Sequence, residues 1–264
     1  STGGSSGSSG SGSGASTGGG SGGSGGGVPQ GDTSHCKGGR QFDPAIDFYA
    51  PPCFGKFEGD NGGATYQGVT KDKVTIVRYV GKGSDAVDAI LKAQGAYVDI
   101  EQYKTYHAIT TKFVNSHYEL YGRKIEIKVV QGNCTTIPPD LPCLRNEMKE
   151  IVEQHKPYFV IWNTSVCSEC FDQLSKLRTP NAGGWHFRDS FNKAKAPFHW
   201  DVTMSGTKMA EHAGRFWCAQ LEGRKAKYAG SGNSSQDLRD NIRKIGVIST
   251  DDPDRGVAAH QRPT

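Results

Sequence analysis

The sequence predicts an α/β fold in which an open, mostly parallel sheet carries helices on both faces. Three β-rich runs recur along the chain, at 73–80, 124–132 and 157–164. An amphipathic helical stretch follows each run after a short connection. Strands that alternate with helices in this way form parallel sheets whose two faces are both covered.

The α/β pattern occupies residues 71–250, and two different segments precede it. Residues 1–27 contain only Gly, Ser, Thr and Ala, so they predict a disordered tether that cannot bury apolar surface. Residues 28–70 are rich in turn-forming residues and lack a period, which predicts an irregular extension. We expect a disulfide between Cys36 and Cys53 to staple this extension.

The first strand, "KVTIVRYV" at 73–80, ends at the glycines of "GKGS". Ser84 followed by Asp85 is typical of a helix start. The helical stretch that follows runs to Gly122 and is too long for one average helix, so we expect a break near Gly95.

The second strand, at 124–132, leads through a Cys- and Pro-bearing loop into a helix, and the third strand, at 157–164, leads into another. In the first of these helices one face is apolar, through Leu144, Met148, Ile151 and Val152. In the second, predicted at 167–178, the buried side consists of Phe171, Leu174 and Leu177.

Beyond the third helix the pattern predicts short strands and loops, a fourth helix at 206–223 and a further strand at 243–250. The fourth helix contains Cys218 in the apolar context "GRFWCAQL". Since the chain has seven cysteines, one is left over, and we expect Cys218 to be a free, buried thiol.

Right-handed crossovers place the carboxyl ends of all parallel strands along one edge of the sheet, where such folds bind ligands. This edge should collect the loops at Gly81–Ser84, Gly132–Cys134 and Asn163–Cys167, with those around Gly183 and Ser205. A small ligand is therefore expected at this edge.

Composition excludes several other classes of function. The net charge of +4 comes from interleaved Lys/Arg and Asp/Glu, without the basic stripe of a nucleic-acid-binding protein. The paired cysteines favour an oxidising compartment outside the cytoplasm. His186, His199, Asp201 and His212 lack the spacing of metal ligands, so we expect no metal and no cofactor.

Several segments together resemble the first lobe of type I periplasmic solute-binding proteins, especially branched-chain amino-acid-type receptors of ABC importers from high-GC Gram-positive bacteria. They are "QGVTKDKVTIVRYVGKG", "GRKIEIKVVQGNC", "PYFVIWNTS", "PFHWDVTMSGTKMAEHAGRFWCAQLEGRKA" and "RKIGVISTDD". The resemblance covers roughly residues 67–252.

The resemblance implies a non-enzymatic receptor that captures a small polar solute, such as an amino acid, and passes it to a membrane permease. Such proteins have two lobes that close around the ligand. By this resemblance we expect the given sequence to hold the first lobe alone, with 251–264 as a truncated entry to the second. It also implies a monomer outside the cytoplasm, secreted or held at the cell surface by a lipid anchor.

In this family the loop after the third strand binds a ligand carboxylate through hydroxyl and backbone N–H groups. The matching candidates are Asn163, Thr164, Ser165 and Ser168, which could alternatively only cap the following helix. Further candidates on the other loops are Gly83, Ser84, Gly183 and Trp185.

Cys167 and Cys170 leave two alternatives open. A Cys-x-x-Cys where a strand meets a helix is also the active site of thiol-disulfide oxidoreductases, which gives the second hypothesis for function. Some family members pair a cysteine after the second strand with one after the third, so we favour two such bridges. The competing pairing is Cys134–Cys143 with Cys167–Cys170.

A third hypothesis for the function is an extracellular interaction domain that kept the fold and lost the transport role.

Overall fold

The computed structural model describes residues 31–136, 138–165, 167–229 and 237–247, with the backbone alone at 163–165. The predicted tether at 1–27 and the entry to a second lobe at 251–264 lie outside these residues. The strands are β1 (Lys73–Lys82), β2 (Lys124–Thr135), β3 (Phe159–Ser165), β4 (Asn181–Gly184) and β5 (His199–Asp201). The helices are α1 (Asp85–Ala93), α2 (Ile100–His117), α3 (Leu141–His155), α4 (Ser168–Lys176), α5 (Asp189–Lys195) and α6 (Gly206–Gln220).

The five strands form one parallel sheet in the order β2-β1-β3-β4-β5, which confirms the predicted α/β class. β1 lies at the turning point of this order. The chain steps from β1 to β2 in one direction, then crosses back over β1 to β3 and continues the other way. Ligand sites of open α/β sheets lie where the strand order reverses, at the carboxyl ends of the strands. Here that place is the end of β1 and β3.

One sheet face, which we call the α3/α4 face, holds the main core. Val77 and Tyr79 of β1 and Val160 and Trp162 of β3 alternate onto this face, and each is at most 5% exposed. They pack against the apolar sides of the two helices, which confirms the predicted periodicity. The helix residues in the core are Leu144, Met148, Ile151, Val152, Phe171 and Leu174, with Leu177 partly buried.

The opposite face is covered beside β1 and β2 by α2, and we call it the α2 face. Asn115 of α2 fixes the start of β2, because its side-chain amide donates to the carbonyl of Ile125 (2.9 Å) and its oxygen accepts from the N–H of Ile125 (2.8 Å). The predicted break near Gly95 is confirmed. Gly95 has φ +66°, and Asp99 with Gln102 forms a capping box that starts α2 afresh.

The region after β4 differs most from expectation. α5 replaces a predicted loop. The fourth predicted helix is confirmed as α6. The strand predicted at 243–250 is wrong for 243–247, which form no strand, while 248–250 lie outside the described residues. Ile245 and Val247 are about two-thirds exposed (59% and 63%), and a β-branched run becomes a strand only where a neighbouring strand pairs with it.

Three disulfides link consecutive cysteines: Cys36–Cys53, Cys134–Cys143 and Cys167–Cys170. The predicted Cys36–Cys53 staple is confirmed. The favoured pairing between the loops after β2 and β3 is wrong, because β1 lies between these two strands and keeps their ends apart. The expectation of a buried Cys218 is also wrong, since this free thiol is exposed on α6.

Among the described residues, no helix combines the length and apolarity needed to cross a membrane.

Candidate functional site

The loop between β1 and α1 carries the first two predicted site residues. Ser84 is the N-cap of α1, and its Oγ accepts from the N–H of Val87 at 3.3 Å. Gly83 lies against Asp88, since a Cβ at this position would be 2.4 Å from Asp88 Oδ1. The missing side chain therefore lets a carboxylate approach the loop, and this part of the edge is acidic.

The loop between β3 and α4 contains four more predicted residues. Asn163, Thr164 and Ser165 belong to the end of β3, where the structure describes their backbone. The N-cap of α4 is Cys167, whose Sγ accepts from the N–H of Cys170 at 3.2 Å. Residues 163–165 are therefore not at the cap position.

Ser168 is only 8% exposed, and its hydroxyl donates to Glu169 Oε2 at 3.1 Å. A ligand contact of this hydroxyl stays a prediction. Donation of its proton to a ligand carboxylate would require it to leave Glu169.

The end of β4 supplies Gly183 and Trp185. Gly183 is buried with φ +124°, and a Cβ there would lie 2.6 Å from the carbonyl oxygen of Trp162. Its role in the structure is thus to let β4 approach β3. Trp185 is 46% exposed. The adjacent His186 is fixed by a hydrogen bond from its Nδ1 to the carbonyl of Met204 (2.8 Å), so the loop that presents Trp185 is anchored.

The strand register brings these loops to one edge. Arg78 of β1 lies opposite Ile161 of β3, and Ser165 at the end of β3 lies opposite Gly184 of β4. The loops after β1, β3 and β4 therefore lie side by side at the point where the strand order reverses. Together they offer an acidic loop, the backbone groups that end β3 and an exposed indole, which suits a small polar ligand with an apolar part.

Sequence reasoning missed Arg78, a charged residue that is only 7% exposed. It lies on the α2 face, with its guanidinium carbon 5.7 Å from the centroid of the Tyr103 ring. Burial lowers the pKa of Arg78, and the neighbouring Tyr103 partly opposes this effect. The signal was present in the sequence, because an arginine interrupts the apolar run "TIVRYV".

The Cys167–Cys170 disulfide is enclosed in the core. Cys167 is 1% exposed and Cys170 is 0% exposed. Exchange requires a thiolate to attack a disulfide sulfur directly, so a redox centre must be open to its partner. This burial disfavours the oxidoreductase hypothesis and makes the bridge a part of the core.

Two open cavities lie on the described surface away from the predicted residues. One, of about 710 Å³, lies beside β5 between α5 and the start of α6, and Trp200, Met204 and Lys208 contribute to its wall. The other, of about 740 Å³, includes Tyr66 and Tyr158. Neither contains any of the eight ligand-binding residues predicted from the sequence.

The solved structures that are similar to this chain include the following two. One is an ABC transporter solute-binding protein from R. palustris in complex with 4-hydroxybenzoate, at 12% identity and a TM-score of 0.37, covering 56% of this chain and 36% of that chain. The other is a possible leucine/isoleucine/valine-binding protein from Rhodopirellula baltica SH 1, at 10% identity and a TM-score of 0.34, covering 58% of this chain and 37% of that chain. The chain thus spans little more than a third of the length of either structure. No family model and no curated protein matches the sequence.

Proposed function

We propose that this protein is the extracytoplasmic substrate-binding component of an ABC importer and captures a small polar solute, such as an amino acid. The observation that carries the proposal is the meeting of three loops, after β1, β3 and β4, at the reversal of strand order. In open parallel sheets this crevice is the general ligand site. The partner would be a membrane permease.

The proposed ligand-binding residues are those predicted from the sequence: Gly83, Ser84, Asn163, Thr164, Ser165, Ser168, Gly183 and Trp185. Among them Trp185 is the most direct probe, because its indole is 46% exposed and its removal leaves the core intact. Asp88 joins the set through its approach to Gly83. A carboxylate there suits the ammonium group of an amino acid.

The proposal is tested by thermal unfolding of the full chain with a library of amino acids, organic acids and sugars. We expect at least one compound to raise the Tm, because a ligand that binds only the native state stabilises it. Trp185→Ala should reduce this stabilisation. Phe216→Ala is the matched control, since Phe216 is 60% exposed on α6 and lies outside both the loops of the proposed site and the two cavities. If no compound in the library shifts the Tm, the receptor proposal is wrong.

The oxidoreductase alternative makes a different prediction. A receptor should show one thiol that reacts under native conditions, Cys218, and no reductase activity towards insulin. Rapid reduction of Cys167–Cys170 in the folded protein would favour the oxidoreductase.

A further inference from the structure

The irregular extension before β1 carries an exposed loop whose outer residues are apolar or aromatic. We call these residues the apolar tip: Pro44, Ala45, Ile46, Phe48 and Tyr49. Ile46 is 60% exposed, and Phe48 and Tyr49 are each 84% exposed, with their ring centroids 5.4 Å apart in an edge contact. Exposed apolar side chains that lie next to one another, unlike single scattered ones, mark interaction sites on a folded surface.

The two carboxylates of this loop are turned towards its own backbone. Asp43 Oδ1 accepts from the N–H of Ala45 at 2.9 Å, and Asp47 Oδ1 accepts from the N–H of Tyr49 at 2.9 Å. The carbonyl of Asp43 also accepts from the N–H of Ile46 (2.9 Å). Both aspartates are half-buried, so two successive turns keep the charges inside the loop and the apolar side chains outside it.

Buried contacts fix the base of the loop to the domain. Phe42 is 3% exposed and packs edge-on against Phe113 of α2, with the ring centroids 5.4 Å apart. After the tip, Ala50 is 1% exposed, and the Cys36–Cys53 disulfide closes the loop. The fold therefore holds the tip exposed, and a partner could bury it without the entropy cost of ordering a flexible segment.

Basic side chains lie beside the apolar tip. Lys37 and Arg40 are both exposed, and backbone bridges join Lys37 to Arg40 and Arg40 to Pro52. The guanidinium of Arg40 donates to the carbonyl of Ala50 (3.1 Å), the residue that follows the tip. Exposed aromatic and aliphatic side chains next to cations are typical of segments that lie in a membrane interface.

A lipid surface suits the apolar tip better than a protein partner does. The two rings are more than four-fifths exposed, so the tip is a protrusion, and neither of the two cavities described above includes any of its residues. A protein partner would have to supply a matching pocket, whereas a lipid interface accepts a protruding apolar group without one. The proposed function brings the protein to a membrane, where the permease lies, and the inference rests on it to that extent.

We propose that the apolar tip, with Lys37 and Arg40 beside it, inserts into the headgroup region of an anionic phospholipid membrane. Ile46, Phe48 and Tyr49 leave water for the boundary between headgroups and acyl chains, where the hydroxyl of Tyr49 stays among polar groups. The two cations attract the negative headgroups. The contact is made by the loop alone, and it orients the domain on the membrane surface.

The test is sedimentation of the full chain with vesicles of phosphatidylcholine that contain either no phosphatidylglycerol or about 30% of it. We expect binding to the anionic vesicles. Phe48→Ser with Tyr49→Ser should weaken it at least about tenfold, because two apolar rings no longer leave water. The matched control is Phe216→Ser with Tyr228→Ser, a phenylalanine and a tyrosine that are 60% and 90% exposed outside the extension. This control should bind like the parent.

A single lysine tests the electrostatic part of the contact. Lys37→Gln should weaken binding to the anionic vesicles about fivefold, as for one cation near a charged surface, and leave binding to neutral vesicles unchanged. Lys227→Gln is the control, since Lys227 is exposed and lies beyond α6. It should change neither value. Equal losses for the two lysine variants would contradict a place for Lys37 at the membrane.

The outcomes separate this proposal from the receptor proposal. If neither kind of vesicle binds the protein, or the two double variants lose binding equally, the lipid proposal is wrong, and a Tm shift by a solute would leave the receptor proposal standing. Vesicle binding without any solute-induced Tm shift would do the reverse. If analytical ultracentrifugation shows a dimer that Phe48→Ser with Tyr49→Ser converts to a monomer, the tip contacts a second copy and the lipid proposal is wrong.

The serine variant of the tip should keep the circular dichroism and the Tm of the parent, because both rings are exposed. If it unfolds instead, Ile46→Ser takes its place as the variant of the tip. Ile46→Ser should weaken binding to the anionic vesicles about threefold or more. Full binding by a folded Ile46→Ser variant would count against insertion of the tip.

Discussion

The helices α4 and α6 contain similar residues and have opposite surroundings. Each follows a strand of the same sheet and carries a phenylalanine and cysteine in an amphipathic segment. In α4, five of nine residues are buried, among them Phe171 at 0% exposure. In α6, Gly206 is the one buried residue of fifteen, and Phe216 is 60% exposed.

The difference comes from the strands beside the two helices. α4 connects β3 to β4 within the sheet and packs against α3 in the main core. α6 follows β5, an edge strand of three residues, and no further strand of the described residues extends the sheet beyond it. An apolar helix face is therefore buried only where the sheet provides a surface to receive it.

The largest effect should come from truncating the buried phenylalanine of α4, with the exposed phenylalanine of α6 as its counterpart. Phe171→Ala should lower the free energy of unfolding by about 3–5 kcal/mol, because it leaves a cavity in the core. Phe216→Ala should change it by no more than about 0.5 kcal/mol. Urea denaturation measures both. Similar losses for the two variants would contradict the contrast between the helices.

The cysteines of the two helices should differ in reactivity, because those of α4 are buried and that of α6 is exposed. Cys218 should react with a thiol reagent in the native protein, whereas Cys167–Cys170 should resist dithiothreitol until the core opens. We expect reduction of this bridge to be slower than that of the half-buried Cys36–Cys53 by about an order of magnitude or more. Alkylation and peptide mass mapping over time give the order, and simultaneous reduction of the two bridges would count against it.

A smaller effect on the free energy of unfolding should come from removing one carboxylate from the surface of each helix. Burial raises the pKa of Asp172 on α4, but hydrogen bonds and charge attraction from Lys176 and Lys195 outweigh it, so the net pKa is lowered. A carboxylate with a lowered native pKa stabilises the fold above its unfolded pKa of 3.8, and this contribution is lost as the pH falls through the native value.

Asp172→Asn should therefore cost about 1 kcal/mol or less at neutral pH and almost nothing in acid. The matched control is Glu211→Gln on α6, an exposed carboxylate, which should have no measurable effect at either pH. Urea denaturation at several pH values checks the prediction. A loss for Asp172→Asn that is constant with pH would show that the ion pairs are not its cause.

The sequence predicts the α3/α4 face well because its signals are local and repeated. Leu144, Met148, Ile151 and Val152 identify their helix face without knowledge of the partner. α6 and its Cys218 have an equally apolar context, and the sequence alone does not show that the sheet ends beside them. Whether a helix face is buried depends on the strands and helices that pack against it, and a local sequence pattern does not identify them.

The candidate site is predictable only where local signals in the sequence identify it. The loops follow from the strand ends, so Ser84 and Trp185 could be named from the sequence. The burial of Arg78 could not be predicted, because it depends on α2 packing above the strand. The favoured disulfide pairing, taken from the family resemblance, is wrong because β1 lies between β2 and β3, and the sequence pattern does not contain this strand order.

Each of the three disulfides joins a cysteine to the next cysteine along the chain, with separations of 17, 9 and 3 residues. A chain that enters an oxidising compartment amino terminus first would therefore present each pair before the next cysteine arrives. The native bridges can close in the order in which they emerge, and none has to be exchanged afterwards. The thiol left over, Cys218, is the last of the seven along the chain, so with that order of entry it would meet a chain whose earlier cysteines had already paired.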